Sequence, residues 1–98
     1  MESISFEWDE RKSKSNLTKH NISFDEAQTV FFDSHARMIF DPDHSSSEDR
    51  FILLGISALL RVLIVCHCFR ENDGKVIRII SARKANRKEQ KQYESYLP

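Results

Sequence analysis

The first third of the chain changes from alternating to helical spacing of its apolar residues. Residues 4–8 (ISFEW) carry an apolar side chain at every second position, which predicts a short strand or an extended arm. Asp9 is a suitable N-cap for a helix that runs to about His20, and Asn21 suits the left-handed position that ends it. We therefore expect an extended segment followed by a capped helix.

A second helix is predicted immediately after Asn21. Ser23 and Glu26 have the S-x-x-E spacing of a capping box, in which each side chain bonds the backbone of the other residue. Four apolar residues of this segment share one face at helical spacing: Phe24, Ala27, Val30 and Phe31. The second helix therefore has a defined face to bury against a core.

Beyond the second helix, the spacing of apolar residues indicates strands. Four segments are predicted as strands: residues 36–41, 50–56, 61–70 and 75–82. Pro42 ends the first strand and begins a polar loop, a tight turn near residues 57–60 joins the next two, and residues 71–74 (ENDG) supply the last turn. A basic helix is expected from Arg83 toward Tyr96.

This order of elements predicts an α+β fold in a single domain over residues 1–98. Two N-terminal helices come first, then an antiparallel meander of about four strands, then a C-terminal helix, with residues 4–8 as an extra short strand. A chain of 98 residues supports one modest hydrophobic core. With 2 Gly, 2 Pro and no repeats, the chain is expected to be continuous and compact.

The composition is that of an ordinary globular domain, with 40% hydrophobic and 31% charged residues. No apolar run approaches the roughly 20 residues that span a bilayer, and the opening MESISFEWDE does not have the pattern of a signal peptide. Cys66 and Cys68 are too close along one strand for an ordinary disulfide. We therefore expect a cytoplasmic protein with reduced thiols and no membrane partner.

The formal net charge of zero conceals an asymmetry between the two halves. Residues 1–50 hold 6 Lys/Arg against 11 Asp/Glu, a balance of −5, and residues 51–98 hold 9 against 4, a balance of +5. This favours an anionic partner for the basic half, although a basic helix that faces acidic elements of the same fold gives the same balance. The last helix can therefore pack on its own sheet, bind RNA or dock another chain.

The first helix carries a polar stripe where an apolar face would be expected. Lys12, Asn16 and His20 follow each other at intervals of four and share one face, with Lys19 beside them. Leu17 is the only sizeable apolar residue of this helix, so hydrophobic burial is not expected to orient it. The stripe offers cations and an imidazole that exchanges protons near neutral pH; the alternative is a solvated helix whose Asn16 and His20 bond nearby backbone.

Arginines within the last strand require anionic partners. Alternation places Arg78 on the face of Ala82, and Arg83 on the opposite face with Ser81. A guanidinium in a strand is costly to bury unless it pairs with an anion. The partner is either a carboxylate of the same fold or a phosphate, which a guanidinium matches in bidentate geometry. The candidate carboxylates are Asp41, Glu48 and Asp49.

No metal or cofactor site is predicted. Alternation places Cys66, Cys68 and Arg70 on one face of the third strand and sends His67 to the other, and no second ligand cluster completes a tetrahedral site. The cysteines are expected to act as small buried hydrophobic residues. The sequence also contains no nucleophile elbow, P-loop or dinucleotide fingerprint.

Two blocks of the sequence resemble the BrnT toxins, the toxin half of a type II toxin–antitoxin system with a RelE-like fold. The first is W-D-x-x-K-x-x-x-N-x-x-K-H, from Trp8 to His20, and the second is R-I-I-S-A-R, from Arg78 to Arg83. An F-x-D at residues 31–33 and an EDR at residues 48–50 lie between them, and the resemblance extends over about residues 5–96.

One position and one short segment depart from the family pattern. Family members usually have Gly where this chain has Asn21, which is consistent with a left-handed cap. Residues 66–69 (CHCF) replace the polar residues expected before Arg70. The resemblance therefore assigns no proton-transfer group to this strand, His67 included.

The resemblance implies a metal-independent endoribonuclease that inhibits translation and uses no cofactor. Its substrate would be RNA, with ribosome-bound mRNA as one alternative. A BrnA-like antitoxin with a ribbon-helix-helix domain would neutralise it, and the two together would bind and repress their own operator DNA. The competing interpretations are a non-catalytic RNA-binding module, whose affinity falls steeply with salt without strand scission, and an antitoxin-docking module.

Site residues follow from the resemblance together with the residue pattern. The catalytic candidates are His20, Arg70 and Arg83, and the substrate-binding candidates are Lys12, Lys19, Arg78 and Tyr93. By resemblance to RelE-like enzymes, Arg70 and Arg83 hold the scissile phosphate, with Arg78 as an alternative. His20 would transfer protons, the two lysines would support it, and Tyr93 would stack on a base or act as a weak acid.

Overall fold

A computed structural model of the chain describes residues 4–40, 49–70 and 75–98. Within these ranges the elements follow in the order β1 (Ser5–Glu7), α1 (Glu10–His20), α2 (Phe24–Thr29, continued by one 3-10 turn, Val30–Phe32), β2 (Arg37–Phe40), β3 (Phe51–Ile56), β4 (Val62–Phe69), β5 (Val76–Lys84) and α3 (Arg87–Glu94). The strands form one sheet in the order β1-β5-β4-β3-β2, antiparallel except that β1 runs parallel to β5.

The predicted α+β class and element order are confirmed, and the N-terminal segment is a strand. Asp9 caps α1 by accepting hydrogen bonds from the N–H groups of Arg11 (2.8 Å) and Lys12 (3.1 Å), and Asn21 ends it with φ 58° and ψ 32°. The loop predicted from Pro42 and the turn at residues 71–74 lie outside the described residues. No described helix is long and apolar enough to cross a membrane.

A buried amide orients α1 on the sheet. The Asn16 Nδ2 donates to the carbonyls of Ile22 (2.9 Å) and Ala82 (2.8 Å), and its Oδ1 accepts from the Ala82 N–H (3.0 Å). Because β1 pairs with β5 only as far as Arg78, Asn16 supplies at Ala82 the bonds that a neighbouring strand would otherwise make. Leu17 is 49% exposed, which confirms that hydrophobic burial does not orient this helix.

Different elements pack against the two faces of the sheet. The core under α1 and α2 contains Ile22, Phe24, Ala27, Val30, Leu53, Leu63, Val65, Ile79 and Ala82. On the other face, Tyr93 and Ala85 from the C-terminal segment pack against Leu54 and Ile64. Apolar area removed from water stabilises both faces. Cys66 and Ile80, which are only half-buried, mark a part of the second face that is less completely covered.

A β-bulge at Ile80 changes which side chains of β5 share a face. His67 of β4 lies opposite Ile79, but Cys66 lies opposite Ser81, so β5 has one extra residue here. Ile79 and Ala82 consequently both point into the core under the N-terminal helices, three positions apart instead of two.

The bulge overturns a prediction made from strict alternation. Arg78 was predicted to share a face with Ala82 and to oppose Arg83. In the structure Arg78 lies opposite Cys68 and Arg83 lies opposite Ile64, and these β4 residues have the same parity along an unbulged strand. Arg78 and Arg83 are therefore on the same face of β5, and Ala82 is on the other.

The prediction that the last helix begins at Arg83 is wrong, because a capping box sets its start four residues later. Asn86 Oδ1 accepts from the Glu89 N–H (2.8 Å), and Glu89 Oε1 accepts from the Asn86 N–H (2.9 Å). Arg83 and Lys84 are the last residues of β5. The arginine is therefore placed on a strand next to the helix start.

The capping box predicted for α2 is only half formed. Ser23 Oγ accepts from the Glu26 N–H (3.0 Å), as expected. The Glu26 carboxylate does not complete the box, because it accepts from Ser57 Oγ (2.7 Å) and Arg61 Nε (2.9 Å) at the turn between β3 and β4. The bond from Arg61 outweighs burial and lowers the pKa of Glu26. Glu26 therefore joins α2 to the sheet.

Asp33 closes the segment after α2 onto the sheet. Its carboxylate accepts from the backbone N–H groups of Ile56 (2.9 Å) and His35 (3.0 Å). Gly55 allows this close approach, because a Cβ there would lie 2.7 Å from the Ala36 Cβ and 2.8 Å from a Val30 methyl group. The F-x-D sequence thus has a structural role through its aspartate.

Candidate functional site

Two adjoining depressions lie beside the β5 bulge, and both are lined by His20, Ile80 and Ser81. The first, of about 250 Å³, lies over the sheet, and the second, of about 240 Å³, lies between α1 and β5. We call the two together the cationic groove. Besides the shared residues, the first is lined by Arg50, Ile52, Ile64, Cys66, Ala82 and Arg83, and the second by Lys12, Ser15, Asn16 and Lys19.

The lining of the cationic groove is basic around its rim and aliphatic on its floor. The basic side chains are Lys12, Lys19, His20, Arg50 and Arg83, and no acidic residue is among the described residues that line either depression. The apolar side chains come from the three central strands, represented by Ile52, Ile64 and Ile80. Clefts lined by one sign of charge concentrate ligands of the opposite sign, so the groove suits a polyanion with apolar parts.

Arg83 reaches the groove from the end of β5 and is held by a carboxylate of α3. Its Nη1 and Nη2 donate to Glu89 Oε1 (2.8 Å) and Oε2 (2.9 Å) in bidentate geometry. This pairing raises the pKa of Arg83 and lowers the pKa of Glu89. Of the carboxylates suggested from the sequence, Asp41 and Glu48 lie outside the described residues, and among those described Arg83 pairs with Glu89 and not with Asp49.

His20, Lys12 and Lys19 also meet at the groove. His20 is the last residue of α1, is exposed, and lines both depressions, so it shares the first one with Arg83. The two lysines line the second depression. Asn16, the remaining member of the predicted stripe, is buried and bound to backbone, so for this residue the structural alternative is correct.

Arg70 and Arg78 lie elsewhere, around Glu7 of β1. The Arg78 Nη1 is 2.6 Å from Glu7 Oε2, and the Arg70 Nε is 3.8 Å from the same oxygen. Neither arginine lines the cationic groove. The structure therefore separates two of the arginines predicted for phosphate binding from Arg83 and His20.

Tyr93 is placed differently from the sequence-based expectation. It is 4% exposed and packs between α3 and the sheet, and its hydroxyl donates to Asp33 Oδ2 (2.7 Å). Burial, reinforced by the Asp33 carboxylate, raises the pKa of Tyr93 to about 12. In this position Tyr93 is not among the residues that line the groove, and its hydroxyl joins α3 to the segment after α2.

Cys66 and His67 point to opposite faces of β4, as alternation predicted. His67 is fully buried beside the rings of Phe31 and Phe69, and burial lowers the pKa of its imidazole. Cys66 lines the groove. The buried imidazole belongs to an aromatic cluster on the side of the sheet away from the basic residues.

Arg50, Ser81 and Glu89 are among the residues at the candidate site that were not identified as such from the sequence. In the sequence, Arg50 was noted only as part of the EDR at residues 48–50. In the structure it lines the groove. Ser81 lies on the face of Arg83, as alternation predicted, but it was not given a role at the site, and it lines the groove. A role for Glu89 at the helix start could have been predicted, since residues 86–89 (NRKE) have the spacing of a capping box.

Comparison with known proteins finds a matching family and a solved structure of similar fold. The family model described as the ribonuclease toxin BrnT of type II toxin–antitoxin systems matches residues 8–89. The crystal structure of the Brucella abortus ribonuclease toxin BrnT superposes with a TM-score of 0.65 and 21% identity, covering 87% of this chain and 100% of that chain. At this identity the superposition establishes similarity of fold. Among curated proteins no relative matches.

Proposed function

Because the chain belongs to the BrnT family of ribonuclease toxins of type II toxin–antitoxin systems, we propose that it is a metal-independent endoribonuclease that cleaves RNA in the cationic groove. The observation that carries the proposal is the convergence of an exposed imidazole, His20, with the Arg83 guanidinium in one depression that has no acidic lining residue among those described. This combination provides a proton-transfer group beside a group that stabilises anionic charge.

The proposed reaction is attack of a ribose 2′-OH on the adjacent phosphate. A base removes the 2′ proton, the phosphorus passes through a pentacoordinate state with additional negative charge, and an acid protonates the departing 5′ oxygen. His20 is the proposed proton-transfer group. Arg83 is the proposed ligand of the phosphate, since its delocalised charge and planar donors match the oxygens of the transition state.

The remaining groove residues are proposed to hold the RNA chain. Lys12 and Lys19 lie along α1 next to His20 and are suited to phosphates that flank the cleavage site. The aliphatic floor, which includes Ile52 and Ile80, suits the face of an unstacked base. This division between cations for phosphates and apolar surface for a base favours single-stranded RNA over a duplex.

In the cell, cleavage of RNA by this protein would inhibit translation, and an antitoxin would control it. Membership of a type II toxin–antitoxin family supports such a partner. We expect a BrnA-like antitoxin with a ribbon-helix-helix domain, and binding to operator DNA only through the complex.

The test is incubation of antitoxin-free protein with end-labelled single-stranded RNA, with and without EDTA. We expect cleavage that EDTA leaves unchanged and that yields 2′,3′-cyclic phosphate ends, because the 2′-OH is the nucleophile. A matched RNA with a single 2′-deoxy substitution at the mapped cleavage site should remain intact at that site. Loss of cleavage with EDTA, restored by added metal, would contradict the proposed mechanism.

The competing function is a non-catalytic RNA-binding module. It is favoured by the same basic groove, which binds RNA whether or not His20 transfers a proton. RNA binding with a steep salt dependence, together with intact RNA both in the free state and on translating ribosomes, would identify this alternative.

A further inference from the structure

Glu89 is the one acidic residue that contacts Arg83 among the described residues, and it does so through both oxygens. Oε1 of the same carboxylate also accepts from the Asn86 N–H at the start of α3 (2.9 Å). The carboxylate is thus anchored to the backbone of one element while it binds the side chain of another. A side chain held at two points has little freedom to change rotamer.

The geometry of the pair leaves one edge of the guanidinium for a substrate. Arginine has five N–H donors, and the end-on pair with Glu89 uses one from each Nη atom. Nη1 also donates to the Lys84 carbonyl at 3.3 Å, so its second hydrogen is directed to the backbone. The edge formed by Nε and Nη2 carries two parallel N–H groups, which is the arrangement that binds two phosphate oxygens.

We propose that Glu89 is a positioning residue, which holds the Arg83 guanidinium so that its Nε–Nη2 edge is presented to a phosphate in the cationic groove. The proposal rests on the proposed function of the groove. Orientation fixed before the substrate arrives lowers the reorganisation needed to reach the transition state.

The opposite role for Glu89 makes the opposite prediction. If the carboxylate competed with phosphate for Arg83, removing its charge would free the guanidinium and would increase both RNA affinity and the cleavage rate. A positioning residue instead affects the rate, because binding of the RNA chain depends mostly on the other cations of the groove.

The test uses Glu89→Gln in the full-length protein, with kcat and KM measured on single-stranded RNA. Glutamine at this helical position still accepts from the Asn86 N–H, so the capping box is kept while the charge that holds Arg83 is lost. Glu94→Gln is the matched control, since it removes the same charge from an exposed position of the same helix. This control corrects for the general increase in attraction of RNA that follows from removing one negative charge.

We expect Glu89→Gln to lower kcat about tenfold or more without raising KM, while Glu94→Gln leaves kcat unchanged. In an Arg83→Ala background, Glu89→Gln should cause no further loss, because the residue acts through the arginine. Unfolding temperatures report separately on the fold, and Glu89→Asp, which keeps the charge but shortens the side chain, serves if Glu89→Gln does not fold.

Three results would overturn the inference. An unchanged kcat would show that the pair is only structural, a higher kcat with lower KM would show that Glu89 competes with the phosphate, and an additive effect with Arg83→Ala would show that Glu89 acts independently. Failure of the proposed function is distinct, since in that case the wild-type protein itself would leave RNA intact.

Discussion

Arg78 and Arg83 are five positions apart on the same strand, point to the same side of the sheet and each pair with a glutamate, yet their surroundings differ. Arg78 is bound to Glu7 of β1, and its side chain is 28% exposed. Arg83 is bound to Glu89 of α3, and its side chain is 44% exposed. Of these two arginines, Arg83 lines the cationic groove together with His20, and Arg78 does not. An ion pair alone therefore does not distinguish the arginine that lines the groove from the one that does not.

What distinguishes the two sites is the balance of charge around each pair. Glu7 lies near two arginines, Arg78 and Arg70, so that its carboxylate offsets charge contributed by both. At the groove, the charge of Arg83 is offset by Glu89, but Lys12 and Lys19 add to the positive potential of the lining. Potentials of one sign in a cleft attract polyanions, and this favours the Arg83 end of the strand as the RNA site.

The largest effect is expected for Arg83→Ala. Loss of a charge that stabilises the transition state should lower the cleavage rate by about 10²- to 10³-fold, measured under single-turnover conditions on labelled RNA. Circular dichroism and the unfolding temperature should show that the variant is folded, because Arg83 lies at an exposed strand end. Full activity in the folded variant would remove Arg83 from the site.

His20→Gln should have the next largest effect, about 10²-fold at neutral pH, because proton transfer is lost while a hydrogen-bonding side chain is kept. The shape of the pH–rate profile should change, because a group that transfers a proton in the reaction is lost. His35→Gln is the control, since the side chain of this histidine is 42% exposed but lies outside the groove. A profile of unchanged shape in His20→Gln would show that another group transfers the proton.

Lys12→Gln and Lys19→Gln should weaken RNA binding with smaller effects on chemistry. Each neutralised phosphate contact contributes about 0.7 to the slope of log affinity against log salt for single-stranded RNA, so each variant should reduce that slope by about this amount. Lys14→Gln, on the same helix but outside the groove, should leave the slope nearly unchanged. Equal effects of all three variants would indicate general attraction by the helix.

The smallest effect is expected for Arg78→Ala. The Arg78–Glu7 pair is partly exposed, and solvent-accessible ion pairs contribute about 0–1 kcal/mol to stability, so unfolding in urea should shift only slightly. The cleavage rate should stay close to that of the wild-type protein, because Arg78 does not line the groove. A loss as large as that of Arg83→Ala would place the active site at the Glu7 end of the sheet instead.

Local signals in the sequence predicted the elements and the first helix of the site. The N-cap Asp9 and the left-handed Asn21 fixed the ends of α1, because capping depends on only a few neighbouring residues. The spacing of Lys12 and His20 predicted that they share a side of the helix, and both line the groove. These features needed no knowledge of distant contacts.

Features that depend on distant contacts were not predictable in this way. The bulge at Ile80 accompanies bonds between Asn16 and Ala82, which are 66 residues apart. Because of the bulge, Arg83 shares a face of β5 with Arg78 and Ala82 does not, which is the reverse of what alternation predicts. Burial of Tyr93 against Asp33 likewise joins residues 60 positions apart. The family resemblance gave candidate arginines, and the fold then separated Arg83 from Arg70.

The central claim, that RNA occupies the cationic groove, can be tested directly through Cys66. This half-buried thiol lines the groove, whereas Cys68, two residues along the same strand, is 1% exposed. The measurement is the rate of alkylation of Cys66, followed by mass spectrometry, with and without saturating RNA that carries 2′-deoxy substitutions and is not cleaved. We predict that bound RNA slows alkylation of Cys66, and an unchanged rate with RNA bound would contradict the account.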